Sequence, residues 1–216
     1  MKLYYVMDPM CSWCWAFRPN LQAALKKHPN LEVIWVMGGL APDSDVPMPK
    51  EMQKQIQGYW HTIEERTGTT FNHDFWRTQQ PKRSTFIACR AIIAAHFLRG
   101  DDGVFPLGGS KGTAPALVDA IQEAYYQHAQ NPSDEQVLIA LAEQEGFEQE
   151  PFAELLNSDE TKAVLEHHLA LRQQWGISGF PSIVFEAKGT LYPLSQGYMD
   201  MKKTIELVDA AISELG

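Results

Sequence analysis

Strand-forming residues sit near the two ends of this chain and are scarce between them. Lys2–Met7 is short and rich in Tyr and Val, and Leu31–Met37 carries Val, Ile and Trp before Gly38-Gly39 closes it. From about Trp13 to Lys27 the residues Trp15, Leu21 and Leu25 return at helical spacings, and His28-Pro29-Asn30 ends that helix. Strand character returns only after Gly176, in Ser182–Phe185 and, past the Lys188-Gly189 turn, in Leu191–Leu194. A closing amphipathic helix from about Asp200 to Leu215 carries Ile205, Val208 and Ile212 on one side. Strands this few and this far apart need each other to make a sheet. The order predicts a βαβ unit with parallel strands and a right-handed crossover, a long helical insertion, then a ββα unit. The expected fold is one compact α/β body, with residues 1–42 and 176–216 forming the sheet-bearing domain and 43–175 an inserted helical subdomain.

Residues from Pro49 to Trp175 read almost entirely as helix, broken at Gly68, at Gly100-Asp101-Asp102-Gly103 and at Asn131-Pro132-Ser133. Ser133 followed by Gln136 has the form of a capping box opening the next helix. Ala88, Ile92, Ala95 and Leu98 mark a helix around Cys89 with a buried face.

With 216 residues, 44% of them hydrophobic and 11% aromatic, the chain can bury a core without covalent staples. Its formal net charge of -9 argues against nucleic acid or an anionic membrane surface as partner, since both need clustered Lys and Arg. No apolar run approaches the length needed to span a bilayer. Asp8-Pro9 interrupts the first apolar run before it could serve as the core of a signal peptide, so the expected location is the cytoplasm.

The 3 cysteines, Cys11, Cys14 and Cys89, cannot build a secreted disulfide framework. Cys11-Ser12-Trp13-Cys14 falls where the first strand gives way to the first helix. With Cys11 just outside the helix, in cap geometry, the two sulfurs can meet. Unpaired backbone N–H groups and the positive end of the helix dipole then favour the thiolate of Cys11. The expected roles are Cys11 as nucleophile and Cys14, one turn further in, as resolving thiol. Ser12 is placed to donate a hydrogen bond toward the thiolate, and Trp13 to offer an apolar platform for a substrate. Asp8 is either a proton relay for Cys14 or an ordinary loop or helix cap. As half a zinc site the pair lacks a second pair of ligands, and His167-His168 point about 100° apart on a helix, so no metal is expected. Two unrelated core cysteines remain the plainer alternative.

Pro181, read from residues alone, is a trans proline at the start of a strand. Cys89, among Ala88, Ala91, Ile92 and Ile93, reads as a small buried hydrophobe, and Arg90 as half of a helix-surface salt bridge. Trp60, His61, Phe75 and Trp76 read as core aromatics, with a wall over the dithiol as the alternative. Met7, Met10, Trp13 and Trp15 are candidates for a soft apolar substrate surface.

The dithiol after the first strand, Pro19 inside the following helix, Gly179-Phe180-Pro181-Ser182 at the third strand and a helical insertion between the two halves together resemble the thioredoxin superfamily, specifically its DsbA-like group. Within that group the chain is similar to FrnE-like proteins and to their relatives, the 2-hydroxychromene-2-carboxylate isomerases and kappa-class glutathione transferases. Ser84–Arg90 resembles a helix of those relatives that often begins with Asn, here Ser84. The resemblance implies a thioredoxin-like fold, a cis peptide before Pro181, and Phe180 and Pro181 as substrate-binding residues whose backbone pairs with an extended peptide or glutathione. The isomerases and transferases have Ser where this chain has Cys11, and retention of both thiols favours dithiol exchange. The leading expectation is therefore a thiol–disulfide oxidoreductase acting on protein or small-molecule thiols and disulfides. It has no tightly bound cofactor and takes glutathione as a possible co-substrate. The alternatives are a glutathione-dependent isomerase or transferase of a small aromatic molecule, and a redox-sensing binding or chaperone module. Oligomeric state is not fixed by the sequence.

Overall fold

The structure, a computed structural model, describes residues 1–99, 107–108 and 113–216. Strand β1 (Lys2–Met7) leads through helix α1 (Ser12–Lys27) to β2 (Glu32–Met37). Three helices follow, α2 (Lys50–Thr67), α3 (Phe75–Thr78) and α4 (Phe86–Leu98), and then a two-residue strand, β3 (Leu107–Gly108). After it come α5 (Thr113–Tyr126), α6 (Glu135–Gln144), α7 (Gln149–Asn157) and α8 (Asp159–Gln174). The chain closes with β4 (Ser182–Ala187), β5 (Thr190–Gln196) and α9 (Met201–Leu215). The chain therefore adopts the expected thioredoxin-like order of βαβ, helices and ββα.

The described strands form one mixed sheet in the order β3-β2-β1-β4-β5. β1 pairs parallel with β2 in the register Lys2 to Glu32 through Met7 to Met37, and antiparallel with β4. β5 is an edge strand of the described sheet, and Pro193 sits opposite Val184 beside a register shift at Ile183/Val184, two settings in which a strand proline is tolerated. Lys188 and Gly189, at φ 52° and 77°, make the two-residue turn from β4 to β5, a left-handed pair that matches the strand twist. β3 was not foreseen. Two residues are too short for a period-2 signal, and their pairing with Ile34 and Trp35 of β2 is a tertiary choice.

Period-2 alternation sorts the two faces of the sheet. Leu3, Tyr5, Met7, Val33, Trp35, Met37, Ile183 and Phe185 point into the main core, against α1, α4 and α9. Tyr4, Val6, Ile34, Val36 and Val184 point to the other face, where half-buried Trp175 and Phe180 pack with Ile177. Burial on both faces is why the strands read as continuous apolar runs.

Two local expectations are corrected by the structure. Helix α4 is buried on all sides from Ala88 to His96, not along one face, because it is enclosed by α5, α7 and α8. The N-cap of α6 is Asp134, whose carboxylate accepts from Gln136 N at 3.0 Å, so Ser133 and Gln136 form no capping box. Ser133 is engaged upstream instead, its hydroxyl and amide both directed at Asn131 Oδ1. The Gly100–Gly103 turn lies outside the described residues.

Candidate active site

Cys11 is the N-cap of α1, in extended conformation at φ -87° and ψ 114°. Its amide donates to Asp8 O at 3.0 Å, and its carbonyl accepts from Cys14 N at 2.9 Å and Trp15 N at 3.1 Å. The turn thus hands Cys11 to the helix while its sulfur stays outside the first turn. Cys11 Sγ donates to the Phe180 carbonyl at 3.9 Å, across 169 residues of sequence. The Phe180–Pro181 peptide is cis, as the resemblance implied and the residues alone did not. Pro181 is itself buried, and its carbonyl accepts from Gly197 N at 2.7 Å, which anchors the loop at the start of β4.

The two thiols stand in different surroundings. Cys11 is 6% exposed and borders a cleft, whereas Cys14 is fully buried. Burial, followed by the neighbouring Cys11, holds the Cys14 thiol well above its ordinary pKa. Pro19 lies inside α1, within one turn or so of Cys14.

Asp8 is fully buried behind the dithiol turn. Its Oδ1 accepts from Met10 N at 2.8 Å, and its Oδ2 from Leu40 N at 2.6 Å and the Thr85 hydroxyl at 2.7 Å. Cys89 Sγ points at the same Oδ2 from 3.7 Å. Burial raises the Asp8 carboxyl above its ordinary range, and these hydrogen bonds partly oppose it. The carboxyl therefore ties the 8–11 turn to Leu40 and to the start of α4. The thiol that donates to it is that of Cys89, which is buried as expected but not isolated.

The cleft in front of Cys11 has a volume of about 490 Å³. Cys11, Ser12 and Trp13 border it on the α1 side, Phe180 on the opposite side, and Tyr59 and Trp60 of α2 above. Trp13, the ring of Tyr198 and the guanidinium of Arg66 form a triangle, with Trp13 5.5 Å from each of the other two and Arg66 5.9 Å from Tyr198. Phe180 lies beneath the Arg172 guanidinium at 5.3 Å. Lys82, Arg83 and Arg172 bring positive charge to the lining, and no carboxylate lines it among the described residues. Lys82 is also paired to exposed Asp45 at 2.8 Å.

Of the seven residues singled out as a site, Cys11, Ser12, Trp13 and Phe180 line this cleft, while Cys14, Asp8 and Pro181 form its buried support. Met10 reaches the cleft, but Met7 is core and Trp15 packs against Tyr126 with its indole N–H on Thr70 O. Trp60 is both core and wall: it is 1% exposed, clustered with Phe71, Phe75 and Tyr126, and still lines the cleft. Arg90 corrects an expectation. It is buried, pairs with Asp43 through both Nη atoms and donates from Nε to Leu156 O, so it is an interior clamp and not a helix-surface ion pair. Lys82, Arg83, Arg172 and Leu40 carry no motif, and Thr85 falls within the Ser84–Arg90 stretch without being singled out there. A cation in a loop or on a helix reads as solvated until the fold shows what it faces.

A family model described as the DSBA-like thioredoxin domain matches residues 2–205. A putative protein disulfide isomerase from Nitrosomonas europaea superposes with a TM-score of 0.82 at 26% identity, covering 100% of this chain and 98% of that one. The cytosolic disulfide reductase DsbM from Pseudomonas aeruginosa gives 0.75 at 22% identity with the same coverage, and DsbM with GSH gives 0.73. By sequence, the chain is 24% identical over 205 residues to the ClpXP adapter protein SpxH of Bacillus subtilis (strain 168), spanning 92% of this chain but 64% of that protein.

Proposed function

The chain belongs to the DSBA-like thioredoxin family, and on that premise we propose that it is a thiol–disulfide oxidoreductase working through Cys11 and Cys14. One observation carries the reading: an N-cap cysteine facing the Phe180 carbonyl on the floor of a cleft, backed by a second thiol that burial keeps protonated. Cys11 caps α1 at the end where the helix dipole is positive, and of the pair only Cys11 borders the cleft.

The exchange runs in two displacements. The Cys11 thiolate attacks one sulfur of a substrate disulfide; a Cys11 mixed disulfide forms and one substrate thiolate leaves. Cys14 then loses its proton and attacks Cys11 Sγ, forming the Cys11–Cys14 disulfide and releasing the second substrate thiolate. Two electrons have moved from the dithiol to the substrate, and the reverse sequence oxidises a substrate dithiol. Phe180 and Pro181 present backbone beside the sulfur for an extended substrate, and Trp13 supplies an apolar platform.

The cationic lining supports a small anionic thiol as co-substrate. Glutathione has two carboxylates and suits Lys82, Arg83 and Arg172, and DsbM is a neighbour solved with GSH. The proposal places the protein in the cytosol, the compartment named for DsbM, and no described helix is long and apolar enough to cross a membrane.

Cys14→Ser is the test. It is expected to accumulate a mixed disulfide at Cys11 with glutathione or a model protein disulfide, detected by intact mass, while Cys11→Ser forms none. Turnover that survives in Cys14→Ser would replace dithiol exchange with glutathione activation by Cys11 alone.

A further inference from the structure

Beyond the dithiol, three metal-ligating side chains converge on the far side of Trp60. We propose that His61, Glu64 and His73 form a binding site for a divalent transition cation, zinc by ligand type. His61 and Glu64 lie one turn apart on α2, and His73 comes from the turn that precedes α3. Their ligand atoms all lie within 4.8 Å of one another. His61 Nδ1 is 3.2 Å from Glu64 Oε2, and His73 Nε2 is 3.1 Å from the same oxygen. Donors about 2.0–2.1 Å from a tetrahedral zinc stand roughly 3.3 Å apart, so two edges of the polyhedron are already formed. The third edge, between the two imidazole nitrogens, closes by rotation of His61, whose side chain is 62% exposed.

Chemistry supports an ion at this point. Two imidazole nitrogens approach a single carboxylate oxygen, so either each ring directs an N–H at it or one cation replaces both protons. A cation there would have two nitrogens and one oxygen as ligands, with a fourth position open to water on the exposed side, the donor set of an open zinc site. The support is also in place. Glu64 Oε1 accepts from Phe71 N at 3.2 Å, which fixes the carboxylate's orientation. The His73 turn is tied to the end of α5 by Asn72 N on Tyr126 O at 2.7 Å and Asn72 Nδ2 on Gln127 O at 3.0 Å. His73 meets Trp60 edge-on at 5.7 Å, and its ring now stacks on His61 at 4.4 Å and 11°, a contact that the rotation of His61 onto the ion exchanges for coordination. A bound cation would cross-link α2 to the 69–74 segment and stiffen the wall that Trp60 presents to the cleft.

A pair of thiols can take up zinc ion in a titration, so the test removes it. Zinc ion alone is titrated calorimetrically into the full chain carrying Cys11→Ser and Cys14→Ser. One site is expected, with affinity falling about tenfold or more when either His61→Ala or His73→Ala is added. His61 is exposed enough that its loss leaves the fold intact, and circular dichroism checks the His73 variant. Cobalt(II) in the same chain is expected to give ligand-field absorption without thiolate charge transfer. Zinc affinity unchanged by both histidine variants, or binding that disappears with the two cysteines, overturns the proposal.

Discussion

Gly38 is the residue whose side chain, or lack of one, sets the mouth of the site. A Cβ there would stand 2.3 Å from both Cε1 and Cζ of Phe180 and 3.0 Å from Met7 O. The Phe180 ring occupies that space, so its own carbonyl faces Cys11 and Arg172 covers its far side. Gly38→Ala would push the ring tip aside. The ring is only half-buried and can give way, so the stability loss should stay at about 1–3 kcal/mol, while the loop facing Cys11 shifts. Slower disulfide exchange, beside a urea midpoint lowered in proportion to that loss, is the expected result, the rate read by stopped-flow with glutathione disulfide. An unchanged rate would show that Phe180 takes no part in substrate positioning. Cys11 and Cys14 were legible because their spacing is local and their chemistry is carried by residue type. Asp8 was visible only as an alternative between relay and cap. Its partners Leu40, Thr85 and Cys89 come from segments 32, 77 and 81 residues away.

Among the elements, α8 and β2 are joined by a bond that depends on pH. His168, buried on α8, accepts from Met37 N at 3.1 Å through Nδ1, which requires that nitrogen to be unprotonated. Burial, then the neighbouring His167 and His96, push its pKa down from 6.5 to about 3. As pH falls below about 6.5 the unfolded chain binds a proton here that the folded chain refuses. This group's contribution to stability therefore declines between pH 6.5 and 3, by about 1.4 kcal/mol per pH unit at most. Urea unfolding between pH 7.5 and 5 should show that decline. His168→Leu should remove this part of the slope and cost roughly 1–3 kcal/mol at pH 7.5, because Met37 N loses its acceptor. Equal slopes in the two chains would exclude His168 as the source. The sequence showed α8 as helix but could not show this, since His167 and His168 differ only by 100° of rotation. Strands β1, β2, β4 and β5 were legible because runs of β-forming residues and the turn residues that bound them are local. β3 and the full enclosure of α4 were not, being decided by what packs around them.

For the whole molecule, charge is distributed against its own average. The chain carries a formal net charge of -9, yet Lys82, Arg83 and Arg172 line the cleft before Cys11 without a carboxylate among its described lining residues. At long range an anionic disulfide is repelled; within a Debye length of about 8 Å at physiological salt the local cations dominate. These two ranges separate experimentally. With glutathione disulfide, raising salt from low values should first speed exchange as the overall repulsion is screened. With cystamine, a cationic disulfide, the same screening should slow it. At 0.15 M salt the preference for the anion should persist, since it then comes from the lining. Arg83→Gln should narrow that preference a few-fold, the scale of about 1 kcal/mol for a partly exposed charge contact. Cys11 and Cys14 are untouched by that change, so the effect should fall on the ratio between substrates and leave the dithiol's reduction potential where it was. A ratio insensitive to Arg83→Gln would mean that the cleft reads shape and sulfur alone, and that its cations serve the fold.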